Sequence, residues 1–188
     1  VSSRSAVFCS RNAHKVRELE RLLPGWTLEL LDRDDYPPET GATHYDNAAL
    51  KARFGRAVRG GGSWALAEDS GLEVEALGGR PGVLSARYAP EGAPAVAKLL
   101  DELAGHEDRG ARYLSELVLL APDGEELRGT GTLEGQIAAE ARGSEGFGYD
   151  PVFVPAGEER TVAELGNEWK AANSHRARAA RALLTALG

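Results

Sequence analysis

Residues 5–31 read SAVFCSRNAHKVRELERLLPGWTLELL, and their pattern decides the class of fold. The apolar run from Ser5 to Ser10 has the composition of a buried strand. A polar loop, RNAHK, follows. Val16, Leu19, Leu22 and Leu23 then recur at helical spacing, and Pro24-Gly25 ends the helix. TLELL at 27–31 reads as a second strand. A chain that opens strand, helix, strand is building an α/β layer.

Outward from there the alternation continues. A polar, Pro-containing loop runs to Gly41. Asp46 is expected to cap a helix over about 47–58, ended by Gly60-Gly61-Gly62. WALAE at 64–68 reads as a short strand and LEVEAL at 72–77 as another. Val96, Leu99, Leu100 and Leu103 mark a helix in 93–104. RYLSELVLLA at 112–121 and EELRGTGTLEGQIAAEA at 125–141 flank a PDG turn and predict a long hairpin. VFVP at 152–155 is a strand, and Ser174 is expected to cap a last helix carrying Ala177, Ala180, Leu183, Leu184 and Leu187. There is no internal repeat and no linker long enough to divide the chain. The prediction is one domain over 1–188, α/β, with a mixed sheet.

Composition narrows the function. The 188 residues suffice for one substantial core. No apolar run approaches the ~20 residues of a membrane span, and Val1 to Ser5 lacks the layout of a secretory signal. One cysteine, Cys9, forms no internal disulfide and suits a reducing compartment. A formal net charge of −7 argues against a broad nucleic-acid surface, but leaves room for local cations around a phosphorylated ligand. Of the 22 basic residues only Lys15, Lys51, Lys98 and Lys170 are lysines. Where arginine is the default cation, a retained lysine suggests a need for a compact ammonium, though so few cases also arise by chance.

Four constellations have chemistry in them. Ser10-Arg11-Asn12-Ala13-His14-Lys15, between a strand and a helix, offers N–H groups and a positive dipole end to phosphate; an ordinary capping turn has the same composition, and the glycines of a P-loop are absent. Glu68-Asp69-Ser70-Gly71 places two adjacent carboxylates at an expected strand end, where they are solvated, paired or bound to a cation; oxygen ligands there suit magnesium, and Glu39 adds another oxygen. Gly146-Phe147-Gly148-Tyr149-Asp150-Pro151 frames two aromatic rings with glycines, either exposing ring faces to a base or making a tight turn with the rings in the core. Asp150 has an acceptor for a base N–H. Finally, Lys170 and Ser174-His175-Arg176 crowd cations at a helix start, where the dipole favours anions; a bound phosphate or base accounts for them, as does a solvated basic patch. Lys51, within the 46–58 helix, reads alone as a surface residue.

Taken in series, these residues resemble the inosine triphosphate pyrophosphatase family of non-canonical purine nucleoside triphosphate pyrophosphatases. Its S/T-x-N-x-x-K is similar to Ser10, Asn12 and Lys15. Its E-T-G-x-T-x-x-x-N-A-x-x-K-A is similar to Glu39 through Gly41, Thr43, Asn47, Ala48, Lys51 and Ala52. D-S-G-L, G-G-x-P-G and S-A-R-Y correspond to Asp69 to Leu72, Gly78 to Gly82 and Ser85 to Tyr88. G-F-G-Y-D-P, T-x-A-E-L and K-x-x-x-S-H-R correspond to Gly146 to Pro151, Thr161 to Leu165, and Lys170 with Ser174 to Arg176. The match runs in order over about 6–185. Lys15, Lys51 and Lys170 all fall on motif lysines. The family pattern usually has Asp where Glu68 stands, Phe where His44 stands and often Glu where Asp46 stands. It often carries an acid three residues before Gly41, where this chain has Pro38.

The resemblance implies a long mixed β-sheet flanked by helices, in two lobes with a central nucleotide cleft, and a cytoplasmic homodimer with neither nucleic-acid nor membrane partner. The implied reaction converts inosine, deoxyinosine and xanthosine triphosphates to monophosphate and pyrophosphate. Ser10 to Lys15, Lys51 and Lys170 would hold the triphosphate, and Ser70 would contact substrate. Phe147 to Asp150, His175 and Arg176 would grip the base and its surroundings. Asp69 would orient or deprotonate the attacking water, with Mg²⁺ bridging phosphate oxygens and held by Asp69 and Glu39. A pyrophosphatase for a modified pyrimidine, a nucleotide-binding regulatory module without turnover and a helix-rich interaction protein are the competing expectations. A nucleotide panel separates the first, a turnover assay the second, and the lack of an obvious exposed apolar stripe disfavours the third.

Overall fold

The structure, a computed structural model, describes residues 4–10 and 12–188. Arg11, singled out from sequence, lies outside the described residues, as does the side chain of Ala13. The strands are β1 (Arg4–Cys9), β2 (Trp26–Leu30), β3 (Trp64–Val74), β4 (Gly110–Leu120), β5 (Glu126–Ile137) and β6 (Phe153–Pro155). The helices are α1 (Ala13–Leu22), α2 (His44–Arg59), α3 (Ala93–Glu102), α4 (Val162–Asn173) and α5 (His175–Leu187). The sheet order is β2-β1-β3-β4-β5-β6. β1 runs parallel to β2 and β3, while β5 and β6 are antiparallel. The predicted mixed sheet with helices is therefore present. No helix among the described residues is long and apolar enough to cross a membrane.

The chain divides into two compact units: the first comprises 1–69, 115–131 and 176–188, the second 70–114 and 132–175. In the first unit the period-2 alternation of the strands sorts side chains to two faces. Ala6, Phe8, Leu66, Leu117 and Leu119 join Leu19 of α1 and Leu183 of α5 in one cluster. Val7, Cys9, Ala65, Ala67, Val118 and Leu120 join Ala48, Ala49 and Ala52 of α2 in the other. Small residues along α2 let the helix approach the sheet closely. Gly55 marks the limit, since a Cβ there would lie 2.0 Å from Cys9 Sγ. Alanine ordinarily improves on glycine inside a helix by about 0.5–1 kcal/mol. Here Gly55→Ala is expected to destabilise by about 1–3 kcal/mol through overpacking, read as a lower urea midpoint. A raised midpoint would contradict that close approach.

In the second unit, Val96, Leu99 and Leu103 of α3 pack with Leu72, Val74, Tyr113, Leu133, Ile137, Tyr149, Phe153 and Val162. Gly135 leaves room for the Phe153 ring, which would lie 2.7 Å from an added Cβ.

Four expectations change. The strands read at 64–68 and 72–77 are one eleven-residue strand, β3, followed by a 3₁₀ turn at Glu75–Leu77. The acidic pair is therefore inside a strand, not at its end. The RNAHK loop is shorter than expected, because Asn12 caps α1 by accepting from His14 N at 2.9 Å, which puts His14 and Lys15 in the first turn. The cap of α2 is Thr43, not Asp46; Asp46 is the reciprocal partner three residues on, in a capping box. Helix α4 is an addition to the expected elements. Its capping box, Thr161 with Glu164, is the signal that would have found it, but Gly166 (φ 88°) breaks the helical pattern inside it.

Candidate active site

Glu68 and Asp69 are adjacent in β3, so their side chains leave opposite faces of the sheet. Glu68 follows Leu66 to the α1 and α5 face; Asp69 follows Ala65 and Ala67 to the α2 face. Both are buried. The alternative of a solvated acidic turn is thereby overturned.

On the α2 face, His44, Asn47 and Lys51 stand at i, i+3 and i+7, one stripe of a helix. All three reach Asp69. Lys51 Nζ donates to Oδ1 at 3.0 Å. His44 Nδ1 is 2.7 Å from Oδ2, and Asn47 Nδ2 donates to Oδ2 over a long 3.5 Å. Burial alone would raise the Asp69 pKa, but the His44 hydrogen bond and the charges of Lys51 and Lys15 outweigh it and hold the carboxyl below the usual range. Lys51 also donates to Glu39 Oε1 at 2.5 Å. Burial would lower its pKa, yet Asp69 and Glu39 raise it. Lys51 is thus no surface residue; it bridges two carboxylates.

On the opposite face, Lys15 Nζ lies 3.2 Å from Glu68 Oε2. Ser115 Oγ donates to Glu68 Oε1 at 2.9 Å. Arg176 donates Nε to Oε1 at 2.8 Å and Nη2 to Oε2 at 3.3 Å, and Nη1 to Glu18. Arg176 is 1% exposed. This first-turn arginine meets the protein's own carboxylates, so the alternative of a solvated basic patch is overturned. Ser10 is buried and accepts from Asn12 N at 3.0 Å. His14 is exposed and contacts Arg17 at 2.9 Å.

The second unit gathers the other candidates. Asp150 Oδ2 accepts from Lys170 Nζ at 2.7 Å and from Phe147 N at 2.8 Å. Lys170 Nζ lies 3.9 Å from the Phe147 ring centroid, a cation–π contact. Gly146 (φ 79°) is required here, because a Cβ would fall 2.2 Å from Asp150 Oδ2. Lys170, expected beside phosphate, is held by Asp150 in a buried pair. Tyr149 is a core residue, 5% exposed, with its hydroxyl donating to Ser85 O at 3.2 Å; burial pushes its pKa up to about 12. Of the two expected exposed ring faces, Phe147 alone is partly accessible. Gly148 has φ 64°. His175 is buried and stacks on Tyr113 at 4.6 Å and 10°. Ser70 is partly exposed in β3. The sequence reading missed Glu18, His44 and Ser115 as members of these networks; only the α2 stripe at 44, 47 and 51 had a legible spacing.

Among the described residues no group of three or more His, Cys, Asp or Glu side chains forms a metal-ion cage. The fold is thus an α/β sheet on which buried carboxylates pair with lysines and an arginine. The comparisons give the family. The chain belongs to the Ham1 family, whose model matches residues 6–186. It is 47% identical over 190 residues to the dITP/XTP pyrophosphatase of Deinococcus deserti, covering 99% of this chain and 90% of the relative. It is 46% identical to that of Deinococcus radiodurans, covering 98% and 94%. The solved Ham1 protein of Staphylococcus aureus superposes with a TM-score of 0.86 at 35% identity, covering 98% of both chains. A HAM1 protein from Coxiella burnetii gives 0.85 at 37% identity, also covering 98% of both. The family resemblance read from the motifs holds.

Proposed function

We propose that this chain hydrolyses non-canonical purine nucleoside triphosphates, namely dITP, ITP and XTP, to the monophosphate and pyrophosphate. The names of its relatives indicate the substrate class. The observation that carries the chemistry is Asp69, buried yet held ionised by Lys51 and His44.

Asp69 accepts one proton from the attacking water, whose oxygen adds to phosphorus as the α–β anhydride bond breaks. Lys15 and Lys51 supply positive charge to the phosphate oxygens, with Ser10 to Lys15 as the phosphate-holding turn. Phosphoryl transfer asks the protein mainly for positioning and charge neutralisation. The residues fit a magnesium ion: Glu39 and Asp69 offer hard oxygens gathered around a single cationic group. Magnesium is usually held by one or two carboxylates together with substrate phosphates. When bound it would neutralise phosphate charge. Phe147 to Asp150, Lys170 and His175 are assigned to the base and its surroundings, with Phe147 as the stacking face. Arg176 is assigned to Glu68 and Glu18 instead. The homodimer and the cytoplasmic setting rest on the resemblance.

The base edge sets selectivity. Hypoxanthine and xanthine carry an acceptor oxygen at position 6 where adenine carries a donor, and a buried polar mismatch discriminates by roughly 10²-fold or more. Guanine shares the oxygen and is excluded through its 2-amino group. Purified protein with Mg²⁺ and equal ITP, XTP, ATP and GTP is expected to release pyrophosphate from ITP and XTP at least about 10² times faster, and to stop on chelation. Orthophosphate as first product, ATP cut at the ITP rate, or full activity in excess chelator would overturn the proposal.

A further inference from the structure

We propose that His44 is a positioning residue for Asp69, fixing the plane of its carboxylate from the first turn of α2. This rests on the assignment of Asp69 as proton acceptor. His44 is 2% exposed. Burying an imidazole leaves polar atoms to satisfy, and each one unpaired weakens the fold. Nδ1 meets Asp69 Oδ2 at 2.7 Å, while Nε2 has no hydrogen-bond partner among the described residues. An apolar ring would fill the same volume without an orphaned nitrogen. The bond to Asp69 is therefore what the imidazole adds at this position.

The geometry says what that bond does. Asp69 Oδ1 is held by Lys51 and Oδ2 by His44. Two donors from one helix face, one on each oxygen, determine both the position and the rotation of the carboxylate. Without His44, Oδ2 keeps only the 3.5 Å contact from Asn47. That is at the edge of a hydrogen bond. Asn47 itself is fixed, since its Oδ1 accepts from Gly41 N at 2.8 Å, so it has little freedom to compensate. The carboxylate would then turn about Lys51 and spend less time aligned with the water. With Asp69 ionised, the Nδ1 hydrogen points at Oδ2.

The test uses three substitutions at this position, with Asp69→Asn alongside, in steady-state assays of ITP hydrolysis and in thermal melts. His44→Phe keeps a ring and removes the donor. His44→Asn places an N–H near the site of Nδ1, and His44→Gln places it near that of Nε2. His44→Phe is expected to lower kcat by about 10- to 100-fold, the worth of one hydrogen bond to a charged group, with KM within about twofold of wild type. His44→Asn is expected to recover most of that kcat and His44→Gln little of it. A purely structural role would move the Tm of all three without producing this order in kcat. If His44→Phe keeps kcat within about twofold while Asp69→Asn is inactive, His44 is packing and the proposal falls while the role of Asp69 stands. Where His44→Phe does not fold, equal kcat values for the asparagine and glutamine variants overturn it. Should Asp69→Asn itself turn over normally, both assignments fail together.

Discussion

Asp69→Asn is expected to leave the protein folded and able to bind nucleotide while kcat falls by roughly 10²–10⁴, the usual worth of a positioned general base. The substitution changes almost no volume. It keeps one oxygen for the Lys51 ammonium, which in the native protein stands 3.0 Å from Oδ1. It removes the acceptor for a water proton and puts an amide where His44 Nδ1 now finds Oδ2. KM is expected to hold or fall, because the lost charge repels the triphosphate. The same residue makes a prediction about stability. Its pKa is depressed in the folded state, so it stabilises the fold above its unfolded value of about 4. That contribution is lost as pH drops through the lower folded value, because the unfolded chain then binds the proton more readily. The Tm difference between wild type and Asp69→Asn should therefore shrink on acidification from neutral to about pH 3. Wild-type turnover in the mutant would remove Asp69 from the mechanism, and a Tm gap that widens in acid would contradict the electrostatic account.

Arg176→Met should be the most destabilising single change among the charged residues of the first unit. The guanidinium is 1% exposed and meets both oxygens of Glu68, itself fully buried, as well as Glu18. Removing Arg176 leaves the buried Glu68 charge only Lys15 and Ser115, and breaking a buried pair typically costs about 3–5 kcal/mol. For a chain of this size that corresponds to roughly 10 °C in Tm. The effect should be non-additive. Arg176→Met with Glu68→Gln removes the stranded charge along with its partner and should recover much of the loss, as coupled neighbours do. Arg176→Lys should recover little, because one ammonium does not reproduce the bidentate fork. A melt within about 2 °C of wild type for Arg176→Met would mean the network adds little to stability.

Much of this was legible in the chain. The strand, helix and strand of 5–31 and the long hairpin around the PDG turn appear where their periodicities put them. Strand β3 looks like two strands in sequence because Glu68-Asp69-Ser70-Gly71 has the composition of a turn. The structure keeps those polar residues in the strand by meeting Asp69 with donors from α2 and Glu68 with cations from α1 and α5. Helix α4 is hard to see in sequence because Gly166 interrupts its apolar pattern, although the Thr161 capping box announces its start.

What the sequence determined by itself is the order of motifs, and with it the family and the retained lysines Lys15, Lys51 and Lys170. Those are properties of residue identity and spacing, which survive without coordinates. What only the tertiary structure decided is which charge each of them meets. Lys15 and Arg176 go to Glu68, Lys51 goes to Asp69, and Lys170 goes to Asp150. Adjacent side chains in a strand leave opposite faces, and one partner of Glu68, Arg176, lies 108 residues away along the chain. No local pattern encodes a contact of that range; it exists because burial in a low-dielectric interior makes an unpaired charge too unstable to persist.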